Sequence, residues 1–442
     1  MIEIQAIGGY NDVGKNCTAV TIDDEIIIVD LGIHLEYYAK LTEEEDLVKF
    51  SPEALIQAGA IPDITPLMHK KDKVKAIVLG HAHLDHIGAV PFLARSFNVP
   101  IYGTPFTLEV IRAMLKDDDI KLRNELIAIK PNHRLKITDK IILELIHITH
   151  STPETALVAL HCPYGAVLYA NDFKLDPNPI LGPPPNYKRM EEVAKENVVA
   201  LVVESTYADI ATKTPSEGVA REMLKEVMLN AKNRNNLVIV TTFSSHIARL
   251  KSIIEMGRKM NRKILFLGRS LSKYMYAAKK AGVIDLTKDV EMVRYSRQIE
   301  KRLKKIDHQR NNYVLVVTGH QGEPKSVLYK IAKKDIKFRL YHDDNVIFSC
   351  RTIPTPTNIK NREDLEQELK SQGVRIFKDI HQSGHAARED LREFIQILKP
   401  RHIIPAHGNK EMKEALASLA KEMGYEDKYV HLIKDKEKVQ VQ

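Results

Sequence analysis

The stretch Gly80-His81-Ala82-His83-Leu84-Asp85-His86 sets four side chains able to ligate a metal within six residues. Imidazole nitrogens and a carboxylate, with no thiolate among them, suit Zn²⁺ or Mn²⁺. The run follows the apolar stretch Val74–Leu79 and precedes a helical pattern, so it falls on a strand-to-helix turn. A turn can aim alternate residues at two neighbouring centres, which a regular helix or strand cannot. The plain alternative is a polar surface loop with chance histidines, and the density of ligand types in one turn argues against it. Three more candidates stand at the ends of apolar runs, where a rigid scaffold presents functional loops. His150 follows Ile141–Thr149, Asp172 follows Ala166–Ala170, and His407 follows Ile403-Ile-Pro-Ala406. Each alone is a weak signal. His147 lies inside its strand and reads as structural. His133, His161, His308, His402 and His431 lack such a setting and read as solvated or satisfied core residues.

The elements that position these residues are short. Ile26–Leu31, Val74–Leu79 and Ile141–Thr149 are β-rich runs, with helical patterns at Ile87–Ser96 and Thr107–Lys116. A Pro-rich connector, Asp176 to Pro185, leads to a helix at Arg189–Lys195 and a strand at Val198–Val203. From about Pro215 to Gly373, apolar strands at Leu237–Val240, Lys263–Leu267, Tyr313–Val317 and Asn345–Ser349 alternate with helical segments. That alternation predicts a parallel sheet covered by helices. Thr214-Pro-Ser-Glu217 reads as a helix start with Thr214 as cap. A further strand–helix–strand unit carries His385 and His407. The expected organisation is therefore a first domain over residues 1–205, an inserted domain over 206–373, and a completing part of the first domain over 374–442.

The 442 residues are 44% hydrophobic, ample for a large core. Three cysteines, Cys17, Cys162 and Cys350, exclude a disulfide scaffold and predict a reducing compartment. The N-terminal residues lack a basic region followed by an apolar run, so no signal peptide is expected, and no apolar stretch reaches about 18 residues. The expectation is a cytoplasmic protein with no membrane association. A net charge of +8 suits a polyanionic partner such as nucleic acid. The abundance of Lys and Glu, with no Trp, hints at a heat-tolerant source.

The series His81-x-His83-x-Asp85-His86, His150, Asp172 resembles, in order and spacing, the ligand series of the metallo-β-lactamase superfamily. Asp30, in Ile28-Val-Asp30-Leu-Gly32, matches its early buried aspartate, a structural support in that family. Glu204-Ser-Thr206, His381-Gln-Ser-Gly-His385 and Pro405-Ala-His407-Gly look like the signature motifs of the β-CASP nucleases. Gly8-Gly9…Gly14-Lys15-Asn16, Gly268-Arg269-Ser270 and Thr318-Gly-His-Gln-Gly-Glu-Pro324 are similar to the ribonuclease J group of that family, in its shorter archaeal form. Residues Leu41–Ile61 look like an insertion, and His320 stands where a small polar residue is expected. The resemblance implies an α/β fold: an αββα metallo-β-lactamase sandwich with an inserted β-CASP domain built on a parallel sheet.

The resemblance also implies a site with two divalent metal ions, Zn²⁺ or Mn²⁺. His81, His83 and His150 would hold one metal, Asp85, His86 and His407 the other, and Asp172 would bridge. A hydroxide between them would attack phosphorus in line, with Asp85 orienting it. His385 would protonate the leaving oxygen or stabilise the transition state, oriented by Glu204. The plain reading of Glu204 is a surface or capping carboxylate.

Four turns, Thr242-Phe-Ser244-Ser245, Gly268-Arg269-Ser270, Thr318-Gly319 and Ser383-Gly384, read as following apolar strands and presenting N–H groups and hydroxyls to anions. One such turn is ordinarily a helix cap. Four, with Arg269, suit the phosphates of a single strand. The implied activity is metal-dependent degradation of single-stranded RNA, 5′→3′, with a 5′-monophosphate pocket at Ser244, Ser383 and His385. A homodimer is implied by the resemblance alone. The alternatives are an endoribonuclease of the cleavage-and-polyadenylation type, a small-molecule metallo-hydrolase such as a thioester hydrolase or lactonase, and an RNA-binding scaffold with a dead site. The inserted domain and His385 argue against the small-molecule enzyme, the lack of preceding RNA-binding domains against the endonuclease, and the complete ligand set against the scaffold.

Overall fold

The structure is a computed structural model in which residues 1–44, 50–229 and 236–441 are described. It divides into two compact units. The first comprises residues 1–177, 183–214 and 384–442, and the second comprises 178–182 and 215–383.

The first unit is built on two sheets. One runs in the order Lys438–Val441, Ile2–Gly8, Cys17–Ile22, Glu25–Val29, Val74–Leu79, Ile101–Gly103, Leu126–Ala128. Its first four strands pair antiparallel and the rest parallel. The other runs His402–Ala406, Val198–Glu204, Gly165–Ala170, Ala156–Cys162, Ile142–His147, His133–Lys136. Alternation in the strands explains why the sheets stack. Ile2, Ile4, Val20, Ile27 and Val78 of the first sheet meet Leu143, Leu145, Val158, Val167 and Val202 of the second in one core. The opposite face of the second sheet, with Ile146, Leu157, Leu168 and Leu201, packs on Met190 and Val193 of helix Tyr187–Lys195, Leu391 and Phe394 of Arg388–Leu398, and Leu416 and Leu419 of Lys410–Glu422. Val198–Glu204 is buried on both faces, which explains its continuous apolar sequence.

The second unit carries one fully parallel sheet, in the order Glu291–Val293, Lys263–Leu267, Tyr313–Val317, Val238–Thr241, Asn345–Phe348, Arg375–Phe377. This is the α/β sandwich with an inserted parallel-sheet domain that the sequence predicts.

Several local expectations need correction. The run Ile87–Ser96 is not one helix. It is split into Leu84–Ile87, Val90–Leu93 and a 3₁₀ turn at Ala94–Ser96, because Pro91 removes a donor and restarts the helix at its first turn. The helix read from Thr214 starts at Glu217 and is capped by Ser216, whose hydroxyl accepts from the Gly218 amide. Thr214 instead donates its hydroxyl to the His385 carbonyl at 2.6 Å. Of the segment read as an insertion, Leu41–Ile61, residues 45–49 lie outside the described residues, and Pro52–Gln57 is a short helix capped by Ser51. His147 is buried and bonded to the Pro183 carbonyl, and His161 is held by Glu144.

Candidate active site

The first strand of the site, Val74–Leu79, is apolar and ends at Gly80. A Cβ on Gly80 would fall 1.7 Å from Asn171 Nδ2, so only glycine lets this strand end approach the end of Gly165–Ala170. Beyond Gly80 the chain bends at Ala82 and reaches His83, the extended N-cap of helix Leu84–Ile87, which carries Asp85 and His86. His81 and His83, before the helix, join one group of ligand atoms, and Asp85 and His86, within it, join another. Asp30 closes Glu25–Val29 in a left-handed conformation, φ 62°. It accepts from the Gly80 amide at 3.0 Å and from His86 Nδ1 at 2.7 Å. His150 follows Ile142–His147, Asp172 follows Gly165–Ala170, and His407, φ 49°, follows His402–Ala406.

The seven predicted ligands come together. His81, His83, His150 and Asp172 form one group, and Asp85, His86, His407 and Asp172 another, with the ligand atoms of each group within 4.8 Å of one another. Asp172 Oδ2 is 3.6 Å from His81 Nε2, 3.9 Å from His83 Nδ1 and 3.6 Å from His150 Nε2. Its Oδ1 is 3.3 Å from both His86 Nε2 and His407 Nε2. One carboxylate thus faces a separate set of nitrogens with each oxygen. Asp85 Oδ2 joins the second set, 3.6 Å from His86 Nε2 and 3.8 Å from His407 Nε2.

These donors fit divalent cations. His83 Nδ1 stands 3.1 Å from both His81 Nε2 and His150 Nε2. Ligand bonds of about 2.0–2.1 Å in a tetrahedral arrangement would separate donor atoms by ~3.3 Å, close to the observed spacing. Three of the far ring nitrogens are held, as is usual for metal-ligating histidines, while buried His81 Nδ1 has no hydrogen-bond partner among the described residues. His86 Nδ1 donates to Asp30, His150 Nδ1 to the Gly384 carbonyl at 2.6 Å, and His407 Nδ1 to Asn16 Oδ1 at 2.8 Å. Burial, helped by neighbouring imidazoles, drives His81 and His150 well below the usual imidazole value. They are therefore neutral, the form that binds metal. Burial opposes ionisation of Asp172, but His407, His86 and His385 outweigh it and hold the carboxyl well below its usual range. Burial likewise opposes protonation of His86, and Asp172, Asp85 and Asp30 overcome it. A cation here would take the place of that proton.

A third group adjoins. His385 Nε2 lies 4.0 Å from Asp172 Oδ2, and its Nδ1 lies 2.6 Å from Glu204 Oε2. The other Glu204 oxygen accepts from the Phe173 amide at 2.8 Å, so buried Glu204 is not a surface carboxylate. Burial opposes protonation of His385, but Glu204 and Asp172 raise its pKa to about 10. The Tyr207 ring stands edge-on to His385, 5.7 Å between centroids.

Sequence reading missed two participants. Tyr207 belongs to no recognisable pattern. Asn16 was visible only as part of a Gly-rich motif, yet it ties His407 to the Asp85 carbonyl, to which it donates at 3.0 Å.

The predicted RNA contacts lie on the second unit, except Gly384 and His385, which belong to the first. Thr242–Ser245, Gly268–Ser270 and Thr318–Gly319 follow three adjacent strands of the parallel sheet at their C-terminal ends, where open α/β sheets bind ligands. Ser244 Oγ and Ser270 Oγ are 2.9 Å apart. Arg269 opens the helix Arg269–Lys280. Ser245 is nearly buried, and Thr318 Oγ1 accepts from the Val327 amide at 3.2 Å. Ser383 departs from expectation: five residues separate it from the preceding strand, Arg375–Phe377, which is only half-buried.

Two stacked sheets, outer helices and a His/Asp cluster at their strand ends define a metallo-hydrolase of the metallo-β-lactamase fold, with a His/Asp centre compatible with divalent metal. Residues 10–204 match the metallo-beta-lactamase superfamily, 235–363 the ribonuclease J beta-CASP domain, and 374–431 the Zn-dependent metallo-hydrolase RNA specificity domain. The chain is 43% identical to ribonuclease J of Methanocaldococcus jannaschii, over 98% of this chain and 97% of that one. It is also 43% identical to ribonuclease J of Pyrococcus abyssi, over 96% and 94%. Ribonuclease J 1 of Streptococcus pyogenes is 32% identical over 96% of this chain and 71% of its own length. A solved Enterococcus faecalis protein of unknown function shares the fold over the full length of both chains, with a TM-score of 0.68 at 18% identity. The chain belongs to the ribonuclease J family of metal-dependent ribonucleases. Among the described residues, no helix is long and apolar enough to cross a membrane.

Proposed function

We propose that the chain degrades single-stranded RNA from the 5′ end, with two Zn²⁺ ions, or Mn²⁺ in their place, held by His81, His83 and His150 on one side and Asp85, His86 and His407 on the other. The observation that carries this reading is the division of Asp172, whose two oxygens face separate sets of imidazole nitrogens. Such a pair supplies Lewis acidity towards the phosphoryl oxygens and a nucleophile at neutral pH. The protein's own part is positional. Asp85, at a helix N-terminus beside His86 and His407, orients the attacking water. Glu204, anchored by the Phe173 amide, keeps His385 protonated and turns its Nε2 towards Asp172. His385 then donates that proton to the leaving oxygen. The serine-bearing strand ends, with Arg269, hold phosphates of the strand. Recognition of a 5′-monophosphate, with Ser244, Ser383 and His385 as its candidate contacts, sets the direction. The family likeness supports a homodimer, and three unpaired cysteines support a reducing, cytoplasmic setting.

The deciding experiment uses one single-stranded RNA labelled at its 5′ end and, separately, at its 3′ end, with purified protein and Zn²⁺ or Mn²⁺. Immediate release of labelled mononucleotide from the first, with progressive shortening of the second, is the expected result. Discrete internal fragments from both would overturn the 5′→3′ reading in favour of an endonuclease.

A further inference from the structure

The positive charge of this protein is concentrated in one place. Residues 269–305 contain eleven Lys and Arg against four Asp and Glu. The other 405 residues hold 55 and 54, which leaves them almost neutral. The segment comprises the helix Arg269–Lys280, the edge strand Glu291–Val293 and the helix Ser296–Ile306, all in the second unit.

The helix Ser296–Ile306 buries Ile299, Leu303 and Ile306 in the core of that unit. Its opposite face carries Arg297, Lys301 and Lys305, exposed and four residues apart, and so aligned at about 6 Å intervals. None of the three forms an ion pair among the described residues. The acids nearby are already engaged: Glu300 with Lys304 at 3.0 Å and Glu291 with Arg302 at 2.6 Å. Like charges at this spacing destabilise an isolated helix. An amphipathic helix needs a solvated face, but not an unrelieved cationic one. Two aromatic rings accompany the stripe. Tyr295 is 57% exposed, and Tyr276 is 38% exposed with the Arg294 guanidinium 4.8 Å from its ring centroid. Cations interleaved with exposed aromatic faces make a surface on which bases stack while phosphates pair.

We propose that this face is a second binding surface for single-stranded RNA, one that holds a stretch of the strand other than the nucleotides at the reacting phosphate. It rests on the ribonuclease reading above, and it deepens it: the preferred substrate is a long strand, and affinity grows with length.

The test uses the full-length triple variant R297Q/K301Q/K305Q and, separately, Y295A. All four substitutions lie on exposed positions of the second unit, and none is a metal-ligand candidate. Binding of fluorescent 5′-monophosphorylated oligonucleotides is measured with chelator present, using a strand of about 5 nucleotides and one of about 30, from 50 to 300 mM salt. Wild type is expected to bind the long strand more tightly than the short one. The triple variant should lose about tenfold or more on the long strand only, and its log–log salt slope should fall by about 2, since each lost phosphate contact on a single strand accounts for ~0.7. Y295A should weaken the long strand by about fivefold or more with the slope unchanged, as stacking carries no counterion release. Equal affinity and slope in wild type and triple variant would overturn the proposal and leave the face to another partner. An equal loss on both strands would also overturn it. The ribonuclease reading fails separately, by absence of metal-dependent cleavage of the short strand by wild type.

Discussion

At the scale of the residue, the site separates side chains that would bind metal from one that would act on the substrate. His385 touches Asp172 at 4.0 Å but is not part of either four-ligand group. His385→Ala should therefore keep two metals per chain by elemental analysis while kcat falls by about 10²–10⁴, the usual contribution of a positioned acid. Turnover near wild type would remove His385 from the chemistry. Loss of metal would instead make it a ligand. Asn16 gives the opposite pattern. Its amide holds His407 at one end and the Asp85 carbonyl at the other, so Asn16→Ala loosens two ligands of the same group. Metal affinity should drop by about 10–100-fold at one of the two sites, as for other supporting partners of ligating histidines. Titration with a competing chelator reads this as one weakened and one unchanged site, and two unchanged sites would contradict it.

At the scale of the element, the site depends on a close approach of strand ends from two stacked sheets, with the Asn171 side chain packed directly on Gly80. Gly80 is where they meet. In Gly80→Ala the new methyl would overlap the Asn171 amide, next to Asp172, whose two oxygens face the two ligand groups. The relaxation should push the ends apart, so the variant should hold fewer than two metals per chain at micromolar metal and lose about 1–3 kcal/mol of stability, as overpacking does. Full metal content with unchanged stability would show that the two ends do not need this closeness. The strand-end placement of His150, Asp172 and His407 was legible in the sequence because a ligand-type residue straight after an apolar run is a local pattern. The alternating strands of the parallel sheet were legible for the same reason. What was not legible depended on distant pairing. The Gly384 carbonyl that fixes His150 lies 234 residues away, and the Phe173 amide that anchors Glu204 lies 31 residues away, beyond the end of the neighbouring strand. Helix boundaries were misread where a proline could serve either as a first-turn residue or as a breaker. Pro91 restarts a helix inside an apolar run, and Pro215 precedes the true cap Ser216.

At the scale of the whole molecule, nearly all excess charge lies on one segment, and the remaining chain balances its charges in networks. One of these centres on Glu144, which is 2% exposed. It accepts from Arg134 at 2.9 Å, from Arg189 at 2.6 and 3.0 Å, and from His161 at 2.8 Å. These partners join an edge hairpin, the helix Tyr187–Lys195 and the strand Ala156–Cys162 in one cluster. Burial pushes the Glu144 carboxyl up, but hydrogen bonds from His161, Arg189 and Arg134 outweigh it and lower the pKa from 4.5 to about 2. A carboxyl whose folded value is depressed stabilises the fold above its unfolded pKa. It loses that contribution as pH falls from about 4.5 towards 2, because the unfolded chain takes up the proton first. Arg134 and Glu196, at the rim of the cluster, are partly exposed, so solvent screening reduces the contribution to about 1–2 kcal/mol. In urea denaturation at pH 6.5, Glu144→Gln should be less stable than wild type by at least this amount, since it also leaves buried donors imperfectly met. The gap should shrink steadily between pH 4.5 and 2.5. A gap that stays constant over that range would mean that Glu144 acts through packing and hydrogen bonding alone, and that the acid limit of the fold is set by other carboxylates.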